Sequence, residues 1–122
     1  MGKFVMKKAG DGVMFNLKSS NGQVICTSQV YANESSCMSG IESVRKNSRS
    51  KIEDQTIEGA RSLTNPKYEI FFDKGGKYRF HLKAMNGEIV AASQGYTTKA
   101  SCKKGIESIS ANAIKAEVVK EE

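Results

Sequence analysis

Tryptophan is absent from this chain, and one histidine and one proline stand among 122 residues. A single imidazole leaves no set of converging ligands from which a metal site could be assembled. Cys26, Cys37 and Cys102 are odd in number and show no CxxC spacing. That pattern excludes a disulfide framework and fits free thiols in a reducing compartment, so a cytoplasmic protein is expected. No apolar run approaches the ~18–20 residues a membrane-spanning helix requires. Met1 to Lys8 contains no apolar stretch of signal-peptide length, and Met6 occupies the position where myristoylation needs Ser or Thr. Neither a leader nor a lipid anchor is therefore expected.

The net charge is +6, carried by residues 1–50 and 67–122, while residues 51–66 are slightly acidic. A surplus spread in this way serves solubility and is compatible with nucleic-acid contact. The strongest signal is internal repetition. Val13 to Ser48 and Tyr78 to Ala113 align without a gap, with roughly fifteen of about thirty-six positions identical. Each repeat is near fifty residues, a size at which surface outweighs interior, so two repeats sharing one core is the economical arrangement. The expected organisation is a single pseudo-symmetric domain over residues 1–122. Its parts are repeat one at 3–57, a linker at 58–66 and repeat two at 67–120.

Tyr78, Phe80 and Leu82 alternate with Arg79, His81 and Lys83, the period of a strand with one dry face. Tyr68, Ile70 and Phe72 alternate upstream. A three-residue loop at Lys74-Gly75-Gly76 sets Phe72, Ile70 and Tyr68 opposite Tyr78, Phe80 and Leu82. The matching loop of repeat one, Ala9-Gly10-Asp11-Gly12, reads as one residue longer, with Met6 facing Phe15 and Phe4 facing Leu17. Asn86-Gly87 favours a two-residue type I′ turn, placing Ala84 opposite Ile89, Leu82 opposite Ala91 and Phe80 opposite Ser93.

The period then changes. Cys102, Gly105, Ile106 and Ile109 form one helical stripe, as do Cys37, Gly40, Ile41 and Val44, with Thr98 and Asn33 as N-caps. A glycine on each stripe predicts close approach of a strand or helix backbone, because glycine costs a helix about 1 kcal/mol relative to alanine. Short extended segments follow at Lys51 to Ile57 and Ile114 to Lys120. Each repeat therefore reads β-β-β-α-β, an α+β pattern.

The run Lys77 to Ala84, Asn86 to Ser93, Gly95-Tyr96 and Gly105 to Ile109 resembles the signature of the YegP-like proteins, small bacterial and archaeal proteins of unknown function. The resemblance implies tandem β(3)-α-β units sharing one antiparallel sheet, with exchanged C-terminal strands and helices packed on one face. It supplies no catalytic residues, and no cofactor or metal is expected.

Glu42 and Glu107 recur in the helices and read as surface carboxylates. The three cysteines read as small core residues. Ser28 and Ser93 are placed to hydrogen-bond the strand-to-helix turn. The best functional candidate is a surface: Phe71, Lys77, Arg79, His81 and Lys83 share the outer face of two strands, where cations beside a ring could take phosphates and stack a base. The leading expectation is nonetheless a small non-enzymatic module for protein interaction or self-association. Weak nucleic-acid binding through the basic sheet face is the alternative, and no membrane partner is expected.

Overall fold

Eight strands form one sheet in a computed structural model that describes residues 2–121. Repeat one supplies β1 (Lys3–Ala9), β2 (Gly12–Lys18), β3 (Val24–Thr27), α1 (Glu34–Asn47) and β4 (Ile52–Asp54). Repeat two supplies β5 (Lys67–Phe72), β6 (Tyr78–Lys83), β7 (Ile89–Ala92), α2 (Lys99–Asn112) and β8 (Glu117–Lys120). The strand order β4-β5-β6-β7-β3-β2-β1-β8 shows the exchange directly, since each repeat's last strand borders the other repeat's first. The two exchanged strands run parallel to their neighbours, so the sheet is mixed rather than antiparallel throughout. A helix intervenes before each of them and returns the chain in the direction that a hairpin would reverse.

Alternation decides the faces. Phe4, Phe15, Leu17, Tyr68, Ile70, Phe80 and Leu82 all point to the inner face and are essentially inaccessible. Cys37, Ile41 and Val44 of α1 and Cys102, Ile106 and Ile109 of α2 close over them. Asn33 accepts from the Ser36 amide and Thr98 from the Ser101 amide, which are the two expected N-caps.

The β5–β6 register pairs Phe72, Ile70 and Tyr68 with Tyr78, Phe80 and Leu82, as the alternation predicts. The loop in repeat one is shorter than expected, not longer: Ala9 pairs with Gly12, leaving Gly10-Asp11 as the turn, with Gly10 at φ 61°. The β6–β7 turn is also not type I′. Only Gly87 has positive φ, and the Glu88 carbonyl accepts from the Ala84 amide across a three-residue loop. Asn86 keeps a negative φ because its side chain accepts from the Glu88 amide, a local alternative to the left-handed conformation. A bulge follows, so Lys83 rather than Ala84 faces Ile89, while Leu82 keeps Ala91.

The helix glycines answer to tyrosine side chains rather than to a backbone. A Cβ on Gly40 or Gly105 would collide with the Tyr31 or Tyr96 hydroxyl. Each tyrosine is stacked on a core phenylalanine, Phe15 or Phe80, at 6.4 Å. Ser28 and Ser93 serve the strands: each hydroxyl accepts from the amide of Phe15 or Phe80 and donates to the following Gln29 or Gln94 carbonyl.

Candidate functional site

α1 and α2 both lie on the inner face, so among the described residues no helix covers the outer face of the sheet. One row of facing residues crosses it from edge to edge: Val119, Val5, Asn16, Thr27, Ala92, His81, Glu69 and Glu53. The pseudo-two-fold exchanges Val119 with Glu53, Val5 with Glu69 and Asn16 with His81. The duplicated scaffold thus carries different chemistry at its two ends.

The β4–β5–β6 end is an ionic cluster. Lys67 Nζ lies 2.7 Å from Glu53 and 3.2 Å from Glu69, with all three side chains buried. Glu69 also bonds His81 Nε2 and pairs with Lys83 at 3.3 Å. The linker descends onto the cluster: the Leu63 amide donates to Glu53 at 2.6 Å and the Leu63 carbonyl accepts from Lys67 at 2.9 Å. The hydrogen bond from Lys67 is the main reason that the Glu53 carboxyl is held down to about 2. Burial alone would push Glu69 up, but bonds from His81, Lys67 and Lys83 outweigh it and hold this carboxyl below the usual range.

These partners determine what the expected basic surface presents. Phe71, Arg79, His81 and Lys83 do share this face, and the His81 ring lies 5.0 Å from that of Phe71. Arg79 pairs with Asp73, while His81 and Lys83 converge on Glu69. Among the described residues only Lys77 of the four basic groups has no acidic partner, and it lies just before β6 with its stem against Gly95. The cations are in place, but most of their charge is spoken for. The His81 side chain is largely covered and lies against the Glu69 carboxylate.

The β8–β1–β2 end is the reverse. Lys3 and Lys7 on β1 and Lys18 on β2 surround Val5 and Asn16, and among the described residues none of the three has a carboxylate within ion-pair distance. Asn16 is buried with its Oδ1 unpartnered. Val119 is partly exposed beside Val5. This apolar strip with lysines around it was missed in the sequence, because only the exchange of β8 brings Val119 to Val5. Glu53 was missed because only the exchange of β4 brings it to β5, and Lys67 and Glu69 were missed on β5 itself. The parity of Lys67 and Glu69 with His81 and Lys83 was the one available signal.

The other reactive groups are dispersed. Burial pushes the Cys26 thiol up to about 12 and the Cys102 thiol up to about 11, and raises that of Cys37. Glu42 pairs with Arg45 at 3.1 Å on the exposed surface of α1, and Glu107 stands exposed on α2. Among the described residues no group of three or more His, Cys, Asp or Glu converges as a metal site. Among the described residues no helix is long and apolar enough to cross a membrane.

Comparison with known proteins gives a consistent result. The family described as a domain of unknown function, DUF1508, matches residues 9–54 and 73–119. A UPF0339 protein of Pseudomonas aeruginosa is 41% identical over 108 residues, which cover 88% of this chain and 86% of that one. A UPF0339 protein of the archaeon Methanosarcina acetivorans is 51% identical over 53 residues, which cover 43% of this chain and 91% of that one. The latter is therefore close to one repeat long. The solution NMR structure of YegP from Escherichia coli, a protein of unknown function, superposes with a TM-score of 0.79 at 36% identity, covering 98% of this chain and 92% of that one.

Proposed function

The chain belongs to the DUF1508 family of domains of unknown function, and from that premise we propose that it is a non-enzymatic contact module whose working surface is the outer sheet face at β8–β1–β2. The observation that supports this reading is the contrast across one continuous face. Charges at one end are mutually satisfied. At the other, lysines that have no acidic partner among the described residues stand around Met14 and Val119, which flank the buried Val5. An apolar centre with a charged rim suits a protein surface carrying carboxylates. The buried thiols and the separate, exposed positions of Glu42 and Glu107 favour contact over chemistry.

Affinity capture from lysate, after nuclease treatment, addresses this reading. Lys3→Glu with Lys7→Glu and Lys18→Glu should release a partner that the unmodified chain retains, and that partner should dissociate as salt rises. A captured set identical for both proteins would sink the reading.

The alternative is nucleic-acid binding through Phe71, Lys77, Arg79, His81 and Lys83. Its available charge is reduced by Asp73 and Glu69. Fluorescence anisotropy with short RNA and DNA separates the two. Binding that weakens steeply with salt and is lost in Arg79→Ala with Lys83→Ala would favour the alternative.

A further inference from the structure

Two Asn-Gly pairs stand in equivalent turns, one in each repeat. The Gly22 and Gly87 amides donate to the carbonyls of Ser19 and Ala84, both at 2.9 Å, and both glycines have φ 86°. The Ser19 and Ala84 amides donate to the Gln23 and Glu88 carbonyls, again both at 2.9 Å. Each asparagine is exposed, and its Oδ1 accepts from the amide two residues on, at 3.1 Å for Asn21 and 3.0 Å for Asn86. The duplication thus presents one reactive pair twice on the same backbone, and the surroundings differ. The Ser19 hydroxyl gives Asn21 Oδ1 a second donor, and Ala84 has no hydroxyl to give Asn86. A Cβ on Gly22 would meet nothing within 4 Å, whereas one on Gly87 would meet Asn65 Nδ2 of the linker at 3.4 Å.

We infer that Asn21-Gly22 is a self-modification site, at which the folded chain converts Asn21 to aspartate and isoaspartate ahead of Asn86. The Gly22 nitrogen adds to Asn21 Cγ, and glycine has no Cβ to obstruct that approach. The Cγ–Nδ2 bond breaks, and ammonia leaves with the proton that the Gly22 amide gives up. Water then opens the five-membered imide at one of its two carbonyls, which leaves one carboxylate in either product. While Cγ is tetrahedral, negative charge gathers on Oδ1. At Asn21 the Ser19 hydroxyl and the Gln23 amide already hold that oxygen, so the turn is a small oxyanion hole. Asn86 Oδ1 has the Glu88 amide alone among the described residues. A hydrogen bond strengthens as its acceptor becomes charged, so the extra donor favours the transition state over the resting amide. The attacking amide is held alike in both turns, which leaves this donor to set the order. Ser19 and Gly22 line a concavity of about 510 Å³ with Lys3, Lys115 and Glu117. The new carboxylate therefore forms beside two cations, and the net charge of +6 falls by one.

The conversion occurs within the turn and needs no partner, so it stands or falls apart from the proposed function. The full chain is aged at mildly alkaline pH and followed by peptide mapping with mass spectrometry and by enzymatic methylation of isoaspartate. Asn21 should convert about tenfold faster than Asn86, the difference between a neutral and a charge-assisted hydrogen bond. Ser19→Ala should erase that lead with the fold intact by circular dichroism, and Ser19→Thr, which keeps a hydroxyl, should preserve it. In urea, where neither turn exists, the two sites should convert at similar rates. Equal rates in the folded chain overturn the inference. So does a lead that survives Ser19→Ala, or one that persists undiminished in urea.

Discussion

The two halves use one scaffold to solve the same problem with different side chains. Each helix ends over the sheet, leaving a carbonyl that needs a donor. At the end of α1 the Tyr68 hydroxyl donates to the Ser48 carbonyl at 2.7 Å. At the end of α2 the equivalent carbonyl is that of Ala113, but Tyr68 is replaced by Phe4, which has no hydroxyl. Arg45 lies over the Phe4 ring at 5.3 Å to its centroid and reaches the Ala113 and Ile114 carbonyls at 3.4 and 2.9 Å. Ser110 holds the place of Arg45 in repeat two. Two inter-repeat ion pairs show the same liberty: Lys120 with Glu34 answers Asp54 with Lys99, with the signs reversed. A duplicated fold conserves the need for a partner and leaves its identity open.

The largest test of this comparison separates the halves. Residues 1–57 alone contain β4 without β5, and β1 without β8. As a monomer they should show no cooperative unfolding transition by circular dichroism. Two copies exchanging last strands would be the folded form, a route open to a relative of one-repeat length. A folded monomer of 1–57 would end the idea that the halves complete each other.

Next in size, Lys67→Met leaves Glu53 and Glu69 buried without their shared cation and should cost about 3–5 kcal/mol in urea denaturation. Lys3→Met, the equivalent change at the exposed site, should stay within about 0.5 kcal/mol. Tyr68→Phe comes third. It strands the Ser48 carbonyl and should cost about 1–3 kcal/mol, and adding Ser110→Arg should recover part of that by installing the device of the other half.

The smallest effect near neutrality is the acid response. The Glu53 carboxyl is lowered from 4.5 to about 2 by Lys67. A depressed folded value contributes stability above the ordinary pKa and loses it as pH falls. Stability should therefore drop between about 4.5 and about 2 as Glu53 protonates, and Glu53→Gln should flatten that limb. An acid limb unchanged by the substitution would remove the ionic cluster from the account.

Much of the architecture was legible. Alternation at Tyr68 to Phe72 and Tyr78 to Leu82 specified one register and one loop length, because any slip would turn the rings to the wrong face. The N-caps and helix stripes followed from side-chain chemistry within a few residues. The turn at Asn86-Gly87 was misread because Asn86 bonds the Glu88 amide instead of taking positive φ. The glycines at 40 and 105 were correctly seen as close approaches, but the approaching group was a tyrosine nine residues earlier in the chain.

The candidate site was the least legible part. Phe71, Arg79, His81 and Lys83 fall on one face in the β5–β6 register, since parity along two adjacent strands is a local property. Their neutralisation by Glu69 and Asp73 depends on which rotamers the packed face allows.

By itself the sequence determined the repeat, the order of its elements, the inner face and the caps, all of which arise from interactions a few residues apart. Only the tertiary structure decided which cations are free, because β4 and β8 each cross to the other repeat. That exchange brings Glu53 to Lys67 and Val119 to Val5 from opposite halves of the chain. Coulomb attraction and burial act on distance in space, and a strand exchange is what divorces that distance from separation in sequence.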